Sequence, residues 1–274
     1  MSSSIRWVTV FLDFPGATFE PGAAFWRAVT GYGQSAARGA DGEFATLLPP
    51  SGDPYLRLQR TGGGSGGCHL DLQVDTGTES LGAAAGRARA AGAAIRSTGP
   101  GLVVLRSPGG FPFCLAGWDG ERAVPPPLGA AVAAASEAGQ TSRAGRTSGT
   151  DLAGPASGVS RVDTVCLDAP PGDYERELAF WAALTGGETR PAPVPGYSYL
   201  TGPANWPVRV LVQRRETAAP ADRVRAHVDF GSTDSGARDR HVSLGARVMA
   251  TLPYWTVLTD PAGREYCLVN RDPG

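Results

Sequence analysis

At 274 residues the chain is longer than one average domain, a length that favours two. With 42% hydrophobic and 19% charged residues it falls among globular proteins that can bury a core, and a net charge of -1 excludes a field that would gather nucleic acid, an acidic membrane surface or a polyanionic substrate. Every basic residue is Arg, with no Lys, and Ala and Gly are abundant, as GC-rich coding would produce, so scattered Arg residues are discounted as functional evidence.

Met1–Trp7 holds no apolar run of signal-peptide length, and a soluble, cytoplasmic protein is expected. Val8–Phe14 alternates like a strand and is followed by a predicted helix over Phe19–Thr30, whose aromatic and aliphatic residues recur every three or four positions before Gly31. Short strands are predicted at Phe44–Leu48 and Tyr55–Arg60. A strand over Cys68–Asp75, a helix over Leu81–Ala91 and strands near Ala94–Ser97, Leu102–Ser107 and Pro112–Ala116 then repeat the order βαβββ. From Asp119 to Gly158 the composition turns to Ala, Gly, Ser, Thr and Pro, headed by Pro125-Pro126-Pro127; such a segment cannot repay its ordering entropy by burial and reads as a flexible tether. Its weakly apolar stretch Leu128–Ala135 is too short and Ala-rich to span a bilayer. The strand pattern resumes at Val162–Asp168 and the helix pattern at Tyr174–Thr185.

The two halves are copies of each other. Arg6–Gly31 matches Arg161–Gly186 without a gap: Leu12-Asp13 meets Leu167-Asp168, Phe25-Trp26 meets Phe180-Trp181, and Thr30-Gly31 meets Thr185-Gly186. Leu56-Arg57-Leu58-Gln59-Arg60 matches Val210-Leu211-Val212-Gln213-Arg214, and His69-Leu70-Asp71-Leu72 matches His227-Val228-Asp229-Phe230. Gly92-Ala93 and Phe113-Cys114-Leu115 meet Gly245-Ala246 and Tyr266-Cys267-Leu268. The chain therefore divides into a first domain over 1–118, a linker over 119–158 and a second domain over 159–274.

The Phe-Trp helix ending in Thr-Gly, the His-x-Asp strand, the Gly-Ala after the second helix and the strand pair around Asp260-Pro261-Ala262-Gly263-Arg264-Glu265-Tyr266-Cys267-Leu268 resemble the glyoxalase-like branch of the vicinal-oxygen-chelate superfamily, in both domains. The resemblance implies an α+β fold in which two βαβββ halves curl into a cup-shaped sheet around a ligand cavity. It leaves function open, because the superfamily holds metal-dependent isomerases, dioxygenases, epimerases and thiol transferases beside drug-binding resistance proteins that do no chemistry.

Alternation along His69–Val74 turns Leu70, Leu72 and Val74 to the packed face and His69, Asp71 and Gln73 to the cup; His227 and Asp229 repeat this, and Cys114 and Cys267 face the cup from the last strand. The resemblance implies metal-ligand positions at Thr9 or Val10, Gln59, His69 and Cys114, and at Thr164 or Val165, Gln213, His227 and Cys267. Only one imidazole and one thiol stand in each set, where a divalent ion wants three or more good donors. The expectation is therefore that the cups hold no metal cofactor, neither iron, manganese, nickel nor magnesium; zinc held by the His and Cys of one cup is the form these residues would best permit. Three readings of His69 and His227 stay open: hydrogen-bonded cavity histidines with Asp71 and Asp229 orienting the strand, a soft-metal site with Cys and Gln, or a general base acting on Cys114 or Cys267 or on a substrate proton, for which no third orienting group is visible. Gln59, Gln213, Asp71, Asp229, Trp206 and Trp255 are the expected ligand contacts. The expected function is recognition of a small apolar or aromatic organic molecule, sequestering it or, alternatively, converting it as a lyase, isomerase or oxygenase. No nucleic-acid or membrane partner is expected, and the two domains of one chain should pair as an internal pseudo-dimer. Cys68, Cys114, Cys166 and Cys267 lack CxxC or zinc-ribbon spacing and are expected as reduced thiols.

Overall fold

The computed structural model describes residues 3–129, 158–219 and 222–273. The first copy runs β1 (Ile5–Pro15), α1 (Phe19–Thr30), β2 (Gly33–Gln34), β3 (Phe44–Leu48), β4 (Leu56–Thr61), β5 (Gly67–Val74), α2 (Leu81–Ala90), β6 (Ala94–Gly99), β7 (Leu102–Arg106) and β8 (Pro112–Gly117). The second repeats it as β9 (Ser160–Ala169), α3 (Tyr174–Thr185), β10 (Glu188–Pro191), β11 (Tyr197–Thr201), β12 (Arg209–Arg214), β13 (Arg225–Ser232), α4 (Ala237–Ser243), β14 (Arg247–Thr251), β15 (Trp255–Thr259) and β16 (Glu265–Asn270). Each copy forms one eight-stranded sheet, in the orders β2-β3-β4-β1-β5-β8-β7-β6 and β10-β11-β12-β9-β13-β16-β15-β14. Two βαβββ halves thus meet along the antiparallel pairs β1–β5 and β9–β13, with the parallel pairs β1–β4 and β5–β8, and their counterparts, flanking that seam.

The Thr-Gly that ends both long helices has a local cause. Thr30 and Thr185 donate their hydroxyls back to the Trp26 and Trp181 carbonyls at 2.6 and 2.7 Å, and Gly31 and Gly186 take φ of 68° and 70°, the left-handed turn that closes a helix and that a Cβ disfavours.

The aromatic pairs on those helices pack across the two copies. Trp26 stacks on Phe230 at 5.8 Å and donates its indole N–H to Asp260 Oδ2 at 2.8 Å; Trp181 packs edge-on against Phe113 at 5.3 Å and donates to Glu177 Oε2 at 2.8 Å. Glu177 Oε1 in turn accepts the Gly109 N–H of the first copy. Tyr55 donates to the Val162 carbonyl, and the Arg264 guanidinium bonds the Gly67 and Asp13 carbonyls while lying over the Phe14 ring. The contact between copies is therefore an aromatic core in which the two indole N–H groups and the Tyr55 hydroxyl are satisfied.

Of the interval expected as a tether, 130–157 lies outside the described residues. Its head is docked instead of free: Asp53 Oδ2 accepts the Arg122 and Ala123 N–H groups at 2.8 Å each, Val124 packs on the core, and Leu128 bridges to Ser160. Two backbone hydrogen bonds to Asp53, the partial burial of Val124 and the burial of Pro125 hold a segment whose low average hydrophobicity predicts a free chain. Among the described residues no helix is long and apolar enough to cross a membrane.

Candidate functional site

The seam between halves builds the same cluster twice. On β5 the two-residue period brings His69 and Asp71 onto the concave face; parallel pairing with β8 sets Cys114 beside Asp71, and antiparallel pairing with β1 sets Phe11 opposite His69. His227, Asp229, Cys267 and Cys166 take the same places on β13, β16 and β9. In each cup one imidazole nitrogen, one carboxylate oxygen and one thiol lie within 4.8 Å of one another: His69, Asp71 and Cys114 in the first, His227, Asp229 and Cys267 in the second. In the second cup Cys166, Asp168 and His227 form a further group of the same kind.

A third group does orient each histidine, contrary to expectation. Asp13 Oδ2 stands 2.8 Å from His69 Nδ1, and Asp168 Oδ2 stands 2.9 Å from His227 Nδ1. With Nδ1–H donated to a carboxylate, the other nitrogen, Nε2, faces the cluster, 3.9 Å from Asp71 Oδ1 and 3.3 Å from Asp229 Oδ1. Those two carboxylate oxygens are buried and accept no hydrogen bond. The Leu12-Asp13 and Leu167-Asp168 repeat, in the cup-facing phase of its strand, was the sequence signal for this pair.

Electrostatics separate the groups. Burial pulls the His227 imidazole down, but Cys166 beside it, the hydrogen-bonded Asp168 and the Asp229 carboxylate 3.3 Å away outweigh that and raise its proton affinity well above the ordinary value. Burial raises Asp71 against the opposing pull of His69 and Cys114. Burial also pushes up the thiols, Cys114 with help from Asp71, Cys267 despite His227, and Cys166 to about 12. Thiols held in the protonated form are poor nucleophiles, so the geometry gives Cys114 and Cys267 a better part as ligands, ionised on binding a metal, than as attacking groups.

The other expected residues divide. Gln59 and Asp71 line the first cavity, of about 440 Å³, and Gln213, Asp229 and Trp255 line the second, of about 390 Å³. Trp206 does not: it lies in the hydrophobic core on the loop before β12, where no periodicity announced its direction. Of the first-strand alternatives, Thr9 and Thr164 face inward, Thr9 accepting from Gln73 at 2.8 Å and Thr164 from Arg271 at 2.7 Å, while Val10 and Val165 are packed on the opposite face. Residues not foreseen are Tyr197 and Tyr199 of β11, which wall the second cup beside Trp255; Tyr197 and Trp255 meet at 6.0 Å and 64°.

A group of donors that includes one buried, unpartnered carboxylate oxygen per cup fits a divalent transition metal: imidazole, carboxylate and thiolate make three ligands and leave a position open, the arrangement of catalytic sites. Several solved structures share the fold along nearly the whole chain. The 2,3-dioxygenase LapB from a Pseudomonas species aligns over 98% of this chain and 93% of its own at 12% identity and a TM-score of 0.61. The 2,2',3-trihydroxybiphenyl 1,2-dioxygenase of Sphingomonas wittichii aligns over 98% and 90% at 13% identity and 0.58. A 4-hydroxymandelate synthase variant of Streptomyces coelicolor aligns over 100% and 94% at 13% identity and 0.56. At such identity the likeness shows the fold. No curated protein sequence matches the chain.

The expectation of cups without a metal cofactor is corrected by these findings. It counted one imidazole and one thiol per cup and set Asp71 and Asp229 aside as strand-orienting groups; each carboxylate instead turns a buried oxygen into the cluster, and the fold is shared with dioxygenases. The glyoxalase-like domain family matches residues 9–116 and again 164–269, most of both sheets, and the chain belongs to that family as a tandem pair.

Proposed function

We propose that the chain is an enzyme whose second cup acts on a flat, largely apolar molecule bearing neighbouring oxygens, with His227, Asp229 and Cys267 holding a divalent transition metal. One observation carries the reading: Asp229 Oδ1, buried without a hydrogen bond and 3.3 Å from His227 Nε2, lies on the wall of a cavity of about 390 Å³ that is also lined by Tyr197, Tyr199 and Trp255. Aromatic walls suit a ring, and a few converging polar groups orient it. Catechols and hydroxylated biphenyls, the molecules named for dioxygenases of this fold, have that shape and chemistry.

A metal bound there would supply Lewis acidity toward the substrate oxygens. The chain's own residues do the rest. Asp168 fixes the Nδ1 proton of His227, so that its Nε2 must lose any proton before it can ligate. The Gln213 amide and the Tyr199 hydroxyl are placed to receive substrate oxygens, and burial keeps the Tyr197 phenol protonated, with a pKa of about 12. Leu211, Val194 and the aromatic rings give the cavity its apolar wall.

The test is elemental analysis of the protein purified without added metal, with catechol turnover followed by oxygen consumption and product absorbance. A stoichiometric transition metal, lost with turnover in His227→Ala and Asp229→Asn, is expected. Metal-free protein that binds catechol equally before and after chelation would replace the enzyme by a sequestering protein.

A further inference from the structure

We propose that the first cup is a second, chemically distinct binding site, selective for small flat carboxylates. The proposal does not depend on catalysis in the second cup. It follows from comparing the two cups strand by strand, because the shared register identifies which residue replaces which.

Arg57 pairs with Phe11 on β1 as Leu211 pairs with Cys166 on β9, so Arg57 and Leu211 occupy the same place. Thr46 pairs with Arg57, and Tyr199 with Leu211. The Arg38 N–H bonds the Phe44 carbonyl as the Ala192 N–H bonds that of Tyr197, which equates Arg38 with Ala192. Leu102 and Trp255 correspond on β7 and β15. At equivalent positions the second cup therefore has Ala192, Leu211, Tyr199 and Trp255, and the first has Arg38, Arg57, Thr46 and Leu102. Two guanidinium groups stand where the second cup has Ala192 and Leu211, and Thr46 and Leu102 stand where it has two aromatic rings.

Arg57 is the telling residue. Among the described residues its guanidinium makes no hydrogen bond and no ion pair; its Nε is buried without a partner, and its only ring contact is with Phe11 at 5.7 Å. Of the two acids in the cup, Asp13 is held by His69, and Asp71 faces His69 and Cys114 and senses the charge of Arg57 without bonding it. Arg38 is steadied at the rim by a 2.6 Å bond from Nη2 to Thr46 Oγ1. Arg57 is half-buried, with Nε shut away unpaired and its terminal nitrogens open to the cup, so an entering carboxylate can take two parallel N–H donors and satisfy the buried one. The remaining lining is flat and apolar: Phe11 stacks on His69 at 4.4 Å and 15°, and Phe44 and Val104 complete a cavity of about 440 Å³. Arg271 does not give the second cup the same character, because both its terminal nitrogens are engaged by Asp163.

The probe is cinnamate, paired with neutral cinnamamide, titrated against the full chain by calorimetry and by ligand-observed NMR. Cinnamate is expected to bind more tightly than the amide by about tenfold or more, the usual effect of a charge-assisted pair. That preference should vanish in Arg57→Leu, which installs the side chain the second copy already carries at this register, and weaken in Arg38→Ala. The double variant Ala192→Arg with Leu211→Arg should create a second cinnamate site. Equal binding of acid and amide, no saturable cinnamate binding at millimolar concentration, or undiminished binding in a folded Arg57→Leu would each overturn the proposal. If Arg57→Leu fails to fold, the Arg38→Ala result and the double variant decide it. Loss of catechol turnover in the His227 variant with cinnamate binding intact would separate this site from the second cup.

Discussion

Acidification should weaken the chain through one buried histidine at the contact between the copies. His241 on α4 is fully buried among Phe25 of the first copy and Phe230 and Tyr266 of the second, its Nδ1 3.0 Å from the Tyr266 hydroxyl and its Nε2 without a partner. Burial, reinforced by Arg240 and opposed by Asp234, lowers its pKa from 6.5 to about 4. The unfolded chain therefore binds this proton more readily than the folded one. The stability is full above the unfolded value of 6.5 and is lost as pH falls from there toward about 4. A gap of about 2.5 at about 1.4 kcal/mol each corresponds to about 3 kcal/mol, a large share of the 5–15 kcal/mol that holds a typical domain together. Urea denaturation at a series of pH values, compared between the native sequence and His241→Leu, isolates the effect, since every other titrating group is common to both. The variant should be less stable near neutrality by about 1–3 kcal/mol, because the Tyr266 hydroxyl loses its partner, and its stability should fall less steeply on acidification. Parallel stability curves for the two proteins would refute the reasoning.

Asp168→Asn is expected to weaken metal retention in the second cup by about 10–100-fold, the usual consequence of losing the carboxylate behind a ligating histidine; metal content after dialysis against a graded chelator measures it, and unchanged retention would remove Asp168 from the site. Trp26→Phe keeps the ring stack on Phe230 but leaves Asp260 Oδ2 without its indole donor, a change expected to cost about 1–3 kcal/mol in urea denaturation. No measurable cost would mean that water or another donor serves that oxygen.

The duplication and the βαβββ order are legible in the chain because a period survives substitution: Phe25-Trp26 and Phe180-Trp181 sit at the same turn of the same helix, and a left-handed closure demands the Gly that follows Thr. Alternation also gives the inward direction of His69, Asp71, Cys114 and their counterparts. It cannot give distance between strands. Asp13 has the same phase as Thr9 and Phe11, but only the pairing of Asp13 with Gly67 carries its carboxylate to the imidazole of His69. Trp206, on a loop, has no period to orient it and turns into the core. The Arg57 and Leu211 exchange was visible as letters, yet a GC-biased chain full of Arg gave no reason to single it out; its meaning comes from an unpartnered nitrogen.

The two acids that serve the helix tryptophans, Glu177 and Asp260, both belong to the second copy. Their counterparts in the first are Gly22, where a Cβ would strike the Phe14 ring, and Ser107. Two first copies pressed together would leave both indoles without an acid acceptor, and two second copies would bring four carboxylates into one apolar layer, where like charges repel. The halves are thus complementary as a plug and its socket, and neither can find its match in itself. Fusion in one chain keeps the two complementary partners at high local concentration. Because each copy has its own place in the pair, a change in the lining of one cavity leaves that of its twin untouched.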